Sequence, residues 1–156
     1  DAEEAMFMSD NIVVQRDGEV QQTGRPVNLY CQPNSAFVAE FFGEVNQFDG
    51  VVVNGQIQTV LADFAAPEGC DDGQEVQIVI RHEALNIEPD SAGANAEVME
   101  ARLLGRASLI HLSVPTGTDE LHLHARVPGL NSLESGSRVR ITVDPSQAFV
   151  FPVTAS

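Results

Sequence analysis

The chain has 156 residues, enough for one ordinary domain or a small domain with an appendage. Its 43% apolar residues can build a core, yet no run approaches the 18 or more apolar residues of a membrane-spanning helix. Twenty-three acids face eight bases, all of them arginine, and the net charge of −15 argues strongly against a nucleic-acid partner, since phosphate neutralisation dominates such binding.

In chain order, residues 2 to 8 read as a short helix, with Asp1 as N-cap and Glu4 closing a capping box. Seven residues do not hold a helix in water, so this one needs a body to pack against. "IVVQRDGEVQQ" reads as a hairpin whose Asp17-Gly18 turn sets Arg16 opposite Glu19. "GRPVNLYCQP" gives a short helix, opened by Pro26 and stopped by Pro33. "NSAFVAEFFG" gives a second one, capped by Asn34 or Ser35 and closed by Gly43. Its Phe37, Val38, Phe41 and Phe42 form a broad apolar face that must be covered.

From Glu44 the texture becomes β. "GVVVNGQIQTV" predicts a hairpin around Asn54-Gly55, and "EVQIVIRHEAL" a strand ending near Arg81. "SAGAN" is a small-residue surface loop. "EVMEARLLGR", "ASLIHLSV", "ELHLHARV", "SRVRITV" and "AFVFPV" are further strands separated by turn signals, the pattern of a small barrel or sandwich. The expected division is therefore 1–43, mostly helical, and 44–156, all β and expected to fold without the first part.

Chemistry-bearing motifs are few. With no Lys anywhere, the chain cannot hold ATP in a P-loop, which needs G-x-x-x-x-G-K-[ST]. G-x-S-x-G and H-E-x-x-H are missing too, so the chain by itself reads as non-enzymatic, with no catalytic residues. Cys31 and Cys70 follow no metal or redox spacing and read as thiols in a reducing cytosol. Glu3 and Glu4 read as first-turn acids facing a helix dipole rather than as a catalytic pair. Arg138 and Arg140 share a strand face with Thr142, where an oxyanion could sit, although scattered surface arginines are the plainer account.

The strongest constellation is "LIHLSVPTGTDELHLHAR". Ile110, Leu112 and Val114 share one face, as do Leu121, Leu123 and Ala125. Pairing Val114 with Asp119 sets His111 opposite His122 with His124 diagonal, on the outer face. Directly opposed Cβ atoms lie about 5 Å apart, close enough for imidazoles to share a metal. His111, His122 and His124 are therefore the candidate metal ligands.

Residues 1–46 resemble the C-terminal end of the ATP-binding subunit of an ABC importer. Gly24, Pro26, Leu29 and Tyr30 fit its "G-x-P-x-x-L-Y" helix, and Phe37, Val38, Ala39, Phe41, Gly43 and Asn46 its "F-V-A-x-F-x-G-x-x-N" helix. The remainder is similar to that family's regulatory extension, the TOBE domain, built on an OB-like β-barrel. Arg81 and Glu83 match its strand end, with His82 standing in place of the common Pro. The resemblance implies a mainly β, TOBE-type module (44–156) preceded by a helical and hairpin remnant of an ABC ATPase domain (1–43). It implies a fragment whose nucleotide machinery lies upstream of Asp1, so that ATP and Mg²⁺ belong to the full subunit and the fragment itself carries no cofactor. Further implications are a homodimer formed through the regulatory domain, with domain swapping as one form, and membrane-spanning permease partners. The location would be cytoplasmic, peripheral on the inner face of the membrane. "AFVFP" and "EARLLGRASLIHLSV" look most like ferric-iron importers, and polyamine, phosphonate and sugar importers share the pattern. The alternative role is a sensor of a small oxyanion or metal that regulates the importer.

Overall fold

A computed structural model describes residues 8, 10–89, 93–129 and 133–153. The helix expected over residues 2 to 8, with its Asp1 cap, lies outside the described residues apart from Met8, as does part of "SAGAN". The fold divides into two compact units, residues 1–45 and 46–156.

In the first unit, β1 (Ile12–Arg16) and β2 (Glu19–Gly24) form the expected hairpin, with Arg16 paired to Glu19. Asp17 and Gly18 carry φ values of 51° and 80°, as a type I′ turn requires. Helix α1 (Pro26–Cys31) starts on Pro26 and ends before Pro33, and α2 (Ala36–Phe41) is capped by Ser35, whose Oγ accepts from the Val38 N–H at 3.3 Å. Ile12, Val14, Leu29 and Val38 close a small core, with Phe37 and Phe42 packed against it. The aromatic face is thus partly covered from within its own unit, and Phe41 stays 43% exposed.

The second unit is mostly β, as expected of an OB-like domain. Its strands are β3 (Val45–Val51), β4 (Gln56–Gln58), β5 (Asp63–Ala65), β6 (Glu75–Arg81), β7 (Leu85–Glu88), β8 (Ala96–Leu103), β9 (Ala107–Pro115), β10 (Glu120–Pro128), β11 (Arg138–Val143) and β12 (Ala148–Pro152). A five-stranded sheet runs β10-β9-β8-β11-β7 and a three-stranded sheet β12-β6-β3. Alternating side chains from both sheets meet in one core, centred on Ile78, Ile80, Ile110, Leu112, Leu123 and Ile141. Arg81 is 99% buried at the end of β6, its guanidinium 5.5 Å from the Phe149 ring centroid, a cation–π contact.

One hairpin differs from expectation. Asn54 and Gly55 form the tight turn (φ 54° and 76°), but only Val53 and Gln56 bridge across it. Strand β4 pairs instead with β5. The Val52 backbone is taken elsewhere, its N–H donating to Gln74 and its carbonyl accepting from Gly73. The bare backbone of Gly50 admits Ile57: a Cβ there would lie 2.7 Å from its Cγ2.

Candidate functional site

Strand β10 is an edge of the five-stranded sheet, and the β9–β10 hairpin carries three of the chain's four histidines. Along β10, Leu121, Leu123, Ala125 and Val127 face the core, which turns His122, His124 and Arg126 to the other side. Along β9, Ile110, Leu112 and Val114 face the core and His111 and Ser113 face outward with those histidines.

The register is two residues longer than the sequence suggests. His124 pairs with His111, and His122 with Ser113. The Thr116 N–H donates to the Asp119 carbonyl at 2.8 Å, so pairing continues past Pro115 toward a tip at Gly117, φ 99°. Proline is tolerated there because the Pro115–Glu120 pair lies next to that hydrogen-bonded one, in the alternate site where the strands exchange no N–H bond. A shift of two leaves every side chain on its expected face and exchanges only the partners.

The result is a continuous row of rings. His124 stacks on His111 with centroids 4.8 Å apart and planes 10° apart, and His111 lies 5.2 Å from His122. His111 Nε2 is 3.2 Å from His122 Nδ1, donor and acceptor being set by the tautomers. On its other nitrogen, His122 Nε2 meets Glu120 Oε1 at 3.0 Å. Glu120 is fixed in turn by the Ser113 hydroxyl, which donates to Oε2 at 2.5 Å. At the far end His82, in a 3₁₀ turn after β6, stacks on His124 at 5.6 Å.

All four histidines of the chain therefore lie in one row. His82 has no sequence signal linking it to the others. It enters because the turn closing β6 packs on β10.

Asn46 anchors the row. Its side-chain amide donates to the His124 carbonyl at 2.9 Å and accepts the His124 N–H at 2.8 Å, replacing a strand partner at the sheet edge. A cavity of about 70 Å³ beside the row is bounded by Glu100, Arg102, Leu109, His111 and His124.

Electrostatics favour neutral His111. Burial pushes its pKa below the usual imidazole value, helped by His124 and His122 and opposed by Glu100 and Glu120. Glu120 is held below the ordinary carboxylate range, first by the Ser113 hydrogen bond, with desolvation opposing and His122 adding to the lowering. His111 can thus present a ring lone pair, and a carboxylate is fixed behind His122. Among the described residues, no three His, Cys, Asp or Glu side chains form a group able to hold a metal ion.

The other expected features are dispersed. Arg138 and Arg140 are exposed on one strand face, opposite Glu97 and Glu88 of the neighbouring strands. That alternation of charge accounts for them without a ligand. Cys31 is exposed, Cys70 half-buried, and both are free thiols. Among the described residues no helix is long and apolar enough to cross a membrane.

Comparison with known proteins places these features. Residues 78–151 match the model of the TOBE domain. The chain is 37% identical over 161 residues to the sulfate/thiosulfate import ATP-binding protein CysA 1 of Chromobacterium violaceum, covering 96% of this chain and 43% of that protein. It is 39% identical over 153 residues to the spermidine/putrescine import ATP-binding protein PotA of Pseudomonas fluorescens, covering 90% of this chain and 39% of that protein. It thus spans about two fifths of the relatives it matches. A solved structure of the cytoplasmic molybdate-binding protein ModG aligns with a TM-score of 0.48 at 13% identity, over 69% of this chain and 94% of that one.

Proposed function

The chain carries a TOBE domain and is homologous to the C-terminal regions of ABC importer ATP-binding subunits, and on that premise we propose that it is the regulatory part of such a subunit. The observation that carries this reading is identity over 96% of the chain to an import ATP-binding protein, extending through both units. On this reading the regulatory part carries out no catalytic step itself. ATP and Mg²⁺ would be handled by P-loop residues, for which a lysine-free chain has no candidate.

Its work is to pair ATP-binding subunits beneath the membrane-spanning permease subunits, at the inner face of the membrane. Support for pairing comes from the first unit, where Val13, Val20 and Val27 are each more than half exposed and Phe41 nearly so. Apolar groups left exposed on so small a unit favour a second copy. Light scattering at the monomer mass of 16.8 kDa would reject the pairing.

Cargo is not read from this part of the subunit. The relatives named above import sulfate or thiosulfate and spermidine or putrescine. Neither supports ferric iron, so the iron expectation is not carried forward.

A chimera tests the role. The chain replaces the matching segment of the Chromobacterium CysA 1, and ATP binding and sulfate uptake are measured. We expect both to persist. A chimera that binds ATP normally but no longer supports uptake overturns the assignment.

A further inference from the structure

The histidine row carries chemistry that pairing does not use. Two imidazole nitrogens, His111 Nε2 and His122 Nδ1, face each other at 3.2 Å. Two nitrogens bound to one Zn²⁺ are separated by roughly 2.9 Å at a right angle and roughly 3.3 Å at the tetrahedral angle, given metal–nitrogen bonds of about 2.0–2.1 Å. The observed separation falls between these limits.

The remaining nitrogen of His122 matters as much. Glu120 meets Nε2 at 3.0 Å and is itself pinned by Ser113 at 2.5 Å. A carboxylate taking the outer N–H of an imidazole fixes the tautomer, leaves the opposite nitrogen as a lone pair, and makes it more basic. That is the arrangement around metal-bound histidines in general. Here it leaves Nδ1 of His122 with the lone pair, facing His111 Nε2, whose proton shifts to its own Nδ1 when a cation is held between them.

We propose that His111 and His122 form a surface site for a borderline divalent transition cation, Zn²⁺, Ni²⁺ or Cu²⁺, with Glu120 orienting His122 from behind and water completing the coordination. Imidazole donors select this class over Mg²⁺ and Ca²⁺, which require oxygen. His124 is not a ligand in this arrangement. Its ring is parallel to His111 and stacked on it, and in-plane lone pairs of stacked rings do not converge. It packs against the face of His111, and Asn46 holds its backbone in place. The site is narrower than the three-histidine set read from the sequence.

The test is calorimetric titration of NiCl₂ and ZnCl₂ into the whole chain carrying Cys31→Ser, which removes the exposed thiol as a competitor. We expect one ion per chain with micromolar affinity. His122→Ala and His111→Ala should abolish it, Glu120→Gln should weaken it about tenfold, and His124→Gln should leave it unchanged. His122 is half-exposed, so its replacement leaves the core intact. A second readout needs no variant: ¹⁵N spectra of the imidazoles should show Zn²⁺ shifting His111 Nε2 and His122 Nδ1. Absence of saturable binding into the millimolar range overturns the proposal. So does binding that survives His122→Ala, which would place the ion on the acidic surface. Full affinity in Glu120→Gln would remove the orienting role.

Discussion

The two units of this chain solve the same problem with very different resources. Among the described residues, the first encloses a cluster of four buried apolar side chains, Leu29 among them, whereas the second gathers sixteen. Surface-to-volume scaling makes a unit of 45 residues marginal by itself, while 111 residues bury enough to stand alone. The first unit relies on local devices: a type I′ turn, a proline at a helix start, a serine cap. The second relies on pairings between residues far apart in the chain. Local signals can build a small unit's elements, and only long-range packing gives a large one its stability.

The sharpest way to break that comparison is to cut equal holes in both cores. Leu112→Ala should cost about 2–5 kcal/mol and lower the thermal midpoint of the whole second unit. Leu29→Ala should instead release amide protection over residues 12–38 and leave residues 46–156 with an unchanged midpoint by hydrogen exchange. A chain starting at residue 44 should likewise keep a cooperative transition. If Leu29→Ala lowers protection throughout, the two units form one cooperative body and the contrast fails.

Backbone contact comes next. Gly50→Ala forces a methyl against Ile57 and should cost about 1–3 kcal/mol, the usual penalty of overpacking. Gly50→Ala combined with Ile57→Ala should cost less than the sum of the two single changes, because alanine at 57 lacks the Cγ2 that the methyl strikes. A denaturant midpoint that does not move in Gly50→Ala would show that the β3–β4 approach is looser than the structure has it.

Asn46→Ala removes both hydrogen bonds that hold the His124 backbone and should cost about 1–3 kcal/mol. The clearer signature is local. His124 amide exchange should accelerate while Leu112, on the interior strand, stays protected. Asn95 makes the same two-sided clip on Ile141, so Asn95→Ala serves as the matched comparison.

The smallest effect is electrostatic. Asp144 is held below the ordinary carboxylate range by hydrogen bonds from Gln147 and from the side chain and backbone of Ser146. With the folded pKa depressed, the unfolded chain takes up the proton first as pH falls. The contribution is complete above the unfolded carboxylate pKa and is lost as pH falls through the folded one. Exposure to solvent keeps it small. Asp144→Asn should lower stability slightly at neutral pH and flatten the stability–pH curve below pH 4 (about the unperturbed Asp value), where variant and wild type converge.

Much of this architecture was legible in the chain. The Asp17-Gly18 turn with its Arg16–Glu19 pairing, both short helices and most of the β strands follow from turn chemistry, caps and period-two alternation. Those signals act between near neighbours, so a window of ten residues contains their cause. Faces were legible as well, since the outer side of "HLS" and "LHLHA" is fixed by which residues must be inside.

Pairing partners were not. Strand β4 leaves its own tight turn for β5 because Gly73 and Gln74 occupy Val52 from a distance. The β9–β10 register depends on where around Pro115 the turn closes, which alternation leaves open by two residues. His82 reaches His124 across 42 positions, and Asn46 reaches it across 78. Closing such loops is favourable only once the core between them has formed, so the row of histidines exists in the folded chain and nowhere in its local sequence. The sequence by itself determined elements, faces and the homology they carry; tertiary structure decided which imidazole nitrogens face one another, because only packing brings distant strands into register.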